Sequence, residues 1–222
     1  MEFYKHLKEL NDHSVAMFRY GLVPGLSGNA SLRISDNAIA ITPSGIPYNE
    51  YQPDKMCIID SNGKLTFGTQ SPSSETPMHT AIYQKLSHVH AIIHTHSPYV
   101  MTFAVLAKPI AVISLEGLGF GVPEIPCMNG FILPGSRELG EKALSLFEEK
   151  PSLKVILLQN HGALIIADNI HHALELAANL EITARIYYQA LCIGSPVPLT
   201  EKQITDVNSH YFELKSKLKM ST

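Results

Sequence analysis

V-I-L-L-Q-N-H-G-A-L-I-I-A, residues 155–167, decides the fold. Val155 to Leu158 and Ala163 to Ala167 are short apolar runs, separated only by Gln159-Asn160-His161-Gly162. Runs of this length, bounded by turn residues, read as buried strands, and the second reads as the sheet partner of the first. A third run of the same kind, Ala91 to Thr95, follows a helix predicted from about Pro77 to Leu86.

Further out, short strands are expected at 30–34, 39–42 and 56–60. Asn62-Gly63 is a turn signal that makes the next piece, 64–67, a hairpin partner. Helices are expected at the N-terminus (Phe3, Leu7, Leu10, Met17 and Phe18 at helical spacing), at 98–106, 137–149, 170–192 and 201–219. A strand is expected near 110–113, and the Gly- and Pro-rich stretch 116–135 reads as loose. Strands and helices alternate without a regular βαβ repeat. The expected fold is therefore α/β, with a mixed, mainly antiparallel sheet covered by helices, in one domain spanning residues 1–222.

The bulk properties narrow the function. Lys plus Arg is 17 and Asp plus Glu is 20, a formal charge of −3, which is no basic footprint for nucleic acid. Hydrophobic residues make 45% of the chain, enough for a core and too apolar for disorder. Cys57, Cys127 and Cys192 are far apart, without a C-x-x-C pair, so neither a disulfide framework nor a zinc ribbon is expected. Lys5, Lys8, Glu9, Asp12 and Arg19 do not suit a signal-peptide core. No uncharged apolar run reaches the ~20 residues of a membrane span. A cytoplasmic protein without membrane partners is expected. The unusual number is eleven histidines.

His94-Thr95-His96 ends the apolar run 91–95. Residues i and i+2 of a strand share a face, so both imidazoles point to one spot. That is either a metal grip or two exposed strand-end histidines. His161 also follows an apolar strand and has Gly162 beside it. It could complete a three-histidine site with an open position, as in catalytic zinc centres, although spacing alone also allows a plain turn residue. Ser73, Ser74 and Glu75 lie just upstream of a helix N-terminus expected at Pro77, where free N–H groups favour anions and a carboxylate could bind metal or move protons. Ordinary capping is the simpler local reading. His79 stands four residues after Glu75, but the expected boundary prevents a helical pair, and it is left outside the site. Gly25-Leu26-Ser27-Gly28-Asn29 and Thr42-Pro43-Ser44-Gly45 are either anion-binding nests or turns.

S-G-N-A-S (27–31), T-P-S-G-I-P-Y (42–48), P-S-S-E (72–75), H-T-H (94–96) and Q-N-H-G (159–162), in this order, resemble the class II aldolase/adducin family. The likeness runs from about residue 2 to about 200. The resemblance implies a three-layer α/β/α domain and a homotetramer with active sites at subunit interfaces. It implies one Zn2+ held by His94, His96 and His161, with Glu75 as acid–base group and further ligand. It places a sugar phosphate among Gly28, Asn29, Ser44, Gly45, Ser73 and Ser74. The implied reaction cleaves a ketose 1-phosphate, such as L-fuculose 1-phosphate or a similar deoxy-ketose phosphate, to dihydroxyacetone phosphate and an aldehyde through a zinc-stabilised enediolate.

One departure concerns the loop after H-x-H, where an aldolase of the family uses a catalytic tyrosine, related dehydratases carry a catalytic glutamate, and this chain has Leu115, with Glu116 adjacent. Glu116 is the substitute candidate, and Tyr211 is the candidate for a second, C-terminal tyrosine. The same family includes methylthioribulose-1-phosphate dehydratases, sugar-acid phosphate decarboxylases and 4-epimerases, and the three histidines do not separate them. Adducin head domains share the fold without the metal site; the presence of all three histidines and Glu75 argues against that reading.

Overall fold

Residues 155–167 form the expected antiparallel hairpin in a computed structural model that describes residues 3–219, with side chains as far as residue 210. In chain order the elements are α1 (Tyr4–Arg19), β1 (Asn29–Ser35), β2 (Ala38–Ile41), β3 (Cys57–Ile59), β4 (Leu65–Phe67), α2 (Thr76–Tyr83), β5 (Ala91–Thr95), α3 (Pro98–Val105), β6 (Ile110–Ala111), β7 (Glu124–Ile125), β8 (Cys127–Met128), α4 (Arg137–Glu149), β9 (Val155–Leu158), β10 (Gly162–Ala167), α5 (Ile170–Ile193) and α6 (Glu201–Lys219).

Eight strands make the main sheet in the order β4-β3-β2-β1-β5-β10-β9-β8. Every pairing is antiparallel except β8 with β9. Central strands are buried on both faces because successive side chains pack into opposite layers. Ile93, Ile165, Val155 and Leu157 join Leu10 and Met17 of α1, Phe103 of α3 and Leu180 of α5. Ile92, Leu164, Ile166 and Ile156 join Met78 and Ile82 of α2 and Leu139 and Phe147 of α4. The result is helix, sheet, helix, the three layers the resemblance implies. Each fully buried Ile or Leu in these layers contributes about 2 kcal/mol.

Helix starts follow from local chemistry. Ser136 caps α4 by accepting from the Leu139 N–H (3.2 Å), and Asn169 caps α5 by accepting from the His172 N–H (2.8 Å). No helix among the described residues is long and apolar enough to cross a membrane.

Three expectations are corrected in detail. The strand expected at 110–113 is only the two-residue β6, paired with β7 outside the main sheet. The stretch expected to be loose contains a 3-10 segment, Leu115–Phe120, and the edge strand β8. Two-residue strands carry no readable alternation; their pairing is set by the neighbouring chain. Helix α2 begins at Thr76 rather than Pro77, because the Thr76 hydroxyl and N–H both donate to the Ser73 carbonyl (2.7 and 3.0 Å) and hold that turn.

For the site, the register of the central strands matters most. Asn29 of β1 stands opposite His94 of β5, and His94 stands opposite Leu164 of β10. Since neighbours are antiparallel, the start of β1, the end of β5 and the turn before β10 meet at one end of the sheet.

Candidate active site

At that sheet end the three histidines converge. The ring centroids of His94, His96 and His161 lie 4.7, 4.7 and 5.1 Å apart, and one donor atom from each comes within 4.8 Å of the others. His94 and His96 share a face by strand alternation, and the β9–β10 turn supplies His161. Asn160 takes a left-handed conformation (φ 57°) in that turn, and the His161 N–H donates to the Leu158 carbonyl at 3.0 Å.

The protonation pattern suits cation binding. The Nδ1–H of His94 donates to the Ala163 carbonyl (2.9 Å), which leaves its Nε2 bare, 2.8 Å from Nε2 of His96. Burial pushes all three rings toward the neutral form: His94 well below its ordinary value, His96 to about 4, and His161 downward. Three neutral nitrogens at ligand spacing fit a divalent metal with an open position.

Glu75 is the N-cap residue of α2, yet its side chain caps nothing. Its Oε2 accepts from the Gly135 N–H (3.2 Å), and Oε1 lies 3.7 Å from His161 Nε2, beyond hydrogen-bond reach. Burial raises its pKa above the usual carboxylate value, against the opposing pull of the Gly135 N–H. Local capping falls instead to Ser73, whose Oγ accepts from the Glu75 N–H (3.2 Å).

A cavity of about 250 Å³ joins these groups. Its lining includes His94, His96, His161 and Glu75 together with Gly28, Asn29, Ser44, Gly45, Ser73 and Ser74. Two of its loops are tied together: the Ser73 N–H donates to the Thr42 carbonyl (3.0 Å), and the Ser44 N–H donates to the Ser71 carbonyl (2.8 Å). Gly28 is obligatory on two counts, a φ of 75° and a Cβ that would meet the His94 carbonyl at 2.8 Å. Pro134 also lines the cavity. It and Gly135 belong to none of the motifs quoted above; a Pro-Gly pair in a stretch that reads as loose is their sequence signal.

Of the two remaining sequence candidates, one stays apart from this cavity and the other falls outside the described side chains. Glu116 is exposed on the Leu115–Phe120 segment and does not line the cavity of its own chain. Tyr211 belongs to α6, but its side chain lies outside the described residues. His79, which local spacing leaves outside the site, is fully buried directly behind it, with its Nε2 2.7 Å from Asn29 Oδ1. Burial lowers its pKa from 6.5 to about 3. Between those values the unfolded chain takes up a proton that the folded chain refuses, so stability falls as pH drops through this window. Urea midpoints measured from pH 7 to pH 4 are expected to fall less steeply for His79→Gln than for the parent; equal slopes would contradict this.

Gly162 has no room for a side chain. A Cβ there would meet the Thr95 carbonyl oxygen at 2.2 Å and ring atoms of both His94 and His96 at 3.1 Å. Gly162→Ala is expected to cost about 3 kcal/mol in urea unfolding and to lower metal content. Parent-like values of both would show the turn to be more plastic than its geometry implies.

Comparison with known proteins identifies the family. The model of the Class II Aldolase and Adducin N-terminal domain matches residues 8–188. A 5-deoxy-D-ribulose 1-phosphate aldolase from Bacillus thuringiensis is 33% identical over 204 residues, covering 91% of this chain and 93% of that protein. An L-fuculose phosphate aldolase from Escherichia coli O6:H1 is 35% identical over 208 residues, covering 93% of this chain and 94% of that protein. A solved L-fuculose 1-phosphate aldolase superposes with a TM-score of 0.84 at 29% identity, over 93% of this chain and 95% of that one. With its layered fold, its histidine cluster and these relatives, the chain belongs to the class II aldolase and adducin family and is an enzyme of the metal-dependent aldolase, hence lyase, type.

Proposed function

We propose that this enzyme cleaves a ketose 1-phosphate, L-fuculose 1-phosphate or a similar deoxy-ketose phosphate, to dihydroxyacetone phosphate and an aldehyde. One observation carries the reading: a single cavity is lined by three histidines and a buried carboxyl together with hydroxyl, amide and glycine loops. The two sequence relatives described above are named for sugar phosphates, which supports the substrate class.

The phosphate is assigned to Gly28, Asn29, Ser44, Gly45, Ser73 and Ser74. Apart from the histidines, no basic side chain lines the cavity among the described residues, so binding rests on neutral donors and the N-terminus of α2. His94, His96 and His161, with Glu75 able to join them, would hold Zn2+. When bound, the metal supplies Lewis-acid polarisation of the substrate carbonyl and offsets the negative charge that develops during cleavage.

The remaining steps belong to the chain. As the C3–C4 bond breaks, its electron pair stays on C3, and Glu75 delivers a proton to that carbon. In condensation Glu75 removes the same proton. Its raised pKa suits a group that must serve as acid as well as base. The proton that leaves the C4 hydroxyl needs a second acceptor. Glu116 and Tyr211 are proposed for that role from a neighbouring copy in a homotetramer, because Glu116 lies outside its own chain's cavity.

The test offers dihydroxyacetone phosphate with a panel of short aldehydes, including lactaldehyde and acetaldehyde. A ketose 1-phosphate should form with at least one. No condensation with any aldehyde, together with dehydration of methylthioribulose 1-phosphate, would overturn the reading.

A further inference from the structure

From Asn29 on the cavity wall a chain of four buried polar side chains runs back into the protein, and the reaction scheme uses none of the other three. Asn29 and Ser31 are two apart on β1 and share a face; His79 and Tyr83 are four apart on α2 and share a side of the helix. The two pairs interlock. His79 Nε2 lies 2.7 Å from Asn29 Oδ1, His79 Nδ1 lies 2.6 Å from Ser31 Oγ, and Ser31 Oγ lies 2.9 Å from the Tyr83 hydroxyl. His79, Ser31, Tyr83 and Asn29 are all buried.

We propose that His79, oriented by Ser31 and Tyr83, is a positioning residue that holds the Asn29 amide with its nitrogen facing the phosphate. This rests on the assignment of Asn29 to phosphate made above.

The direction of the chain follows from donor and acceptor capacity. A neutral imidazole has one of each, and a fully buried ring is costly unless both are used. Among the described residues, Ser31 is the only acceptor hydrogen-bonded to the Tyr83 hydroxyl, so the Tyr83 proton goes to Ser31. Ser31 then donates to His79 Nδ1, and His79 Nε2–H donates to Asn29 Oδ1. Each link fixes the next. Asn29 is left with its oxygen occupied and its NH₂ group without a partner among the described residues, on the wall of the cavity beside Gly28 and Ser73. Reversing the chain would strand the Tyr83 proton and turn the amide oxygen toward an anion. Burial keeps His79 neutral at working pH, which preserves its single acceptor site.

The test measures the Kd of inorganic phosphate and the zinc content of the zinc-loaded full chain and its variants. His79→Leu is expected to weaken phosphate binding about tenfold, and Tyr83→Phe several-fold, with stoichiometric zinc retained. In condensation, KM for dihydroxyacetone phosphate should rise in step while kcat stays within about twofold. In an Asn29→Ala background the His79→Leu effect should vanish, since the ring acts through that amide. Unchanged phosphate affinity in folded His79→Leu would overturn the proposal, as would an equal loss with and without Asn29. Should His79→Leu fail to fold, Tyr83→Phe keeps the ring and volume, and parent-like affinity there would overturn it as well. If Asn29→Ala itself leaves phosphate affinity unchanged, the phosphate assignment fails and takes the proposal with it.

Discussion

His94→Ala is expected to abolish stoichiometric metal binding and to lower turnover by about three orders of magnitude or more. His94 is the central member of the cluster: its ring lies 4.7 Å from both His96 and His161, and its Nδ1–H is anchored on the Ala163 carbonyl. Removing it leaves two nitrogens that no longer share a third partner. Lewis-acid stabilisation of a developing oxyanion amounts to several kcal/mol, and about 4 kcal/mol corresponds to about a thousandfold in rate. The strands should survive. The β5 register with β1 and β10 is set by backbone pairing and by Ile92 and Ile93, which pack into opposite layers. Metal analysis, turnover and circular dichroism on one preparation check the result. Parent-like turnover in a folded, metal-free variant would remove the metal from the chemistry.

Glu75→Gln should be the cleaner lesion. Glutamine keeps the shape, and its amide oxygen can still accept from the Gly135 N–H, the one hydrogen bond the Glu75 side chain makes among the described residues. What it loses is the ability to take up and release a proton. Positioned acid–base groups contribute about 10² to 10⁴ in rate, so turnover should fall by that factor while metal content and phosphate affinity stay near parent values. Exchange of the C3 hydrogen of dihydroxyacetone phosphate with solvent is the sharper readout, because it isolates the proton step from carbon–carbon bond making. Loss of both turnover and exchange supports the role of Glu75. Loss of turnover with exchange intact would move the carbon proton to another group.

Much of this site is legible in the amino-acid sequence. His94-Thr95-His96 reads directly, because strand alternation puts i and i+2 on one side, and Gln159-Asn160-His161-Gly162 reads as a turn between apolar strands. That these meet is a property of the β1–β5–β10 register, which no local pattern contains; the ordered motifs of the family resemblance supply it instead. His79 is hidden in the sequence for a traceable reason. Local spacing sets it against Glu75, its near neighbour in the chain, whereas its partners are Asn29 and Ser31 on a strand some fifty residues earlier. The helix boundary matters too, since α2 starts one residue before the expected position. Gly135 contributes through its backbone N–H, which carries no residue-type signature. Glu116 shows the opposite limit: its place beside Leu115 makes it a substitute candidate in the sequence, while the fold of one chain leaves it exposed and apart from the cavity. The eleven histidines sort by burial and partner rather than by number. His172, for example, faces solvent beside Asp168 at 2.8 Å.

The decisive measurement is the release of dihydroxyacetone phosphate from L-fuculose 1-phosphate and 5-deoxyribulose 1-phosphate by three matched samples: zinc-loaded protein, chelator-stripped protein, and stripped protein given zinc again. Release by the first and third with none by the second is the predicted result. Equal release by all three samples, or none from either substrate by zinc-loaded protein, would contradict a metal-assisted ketose phosphate cleavage at His94, His96 and His161.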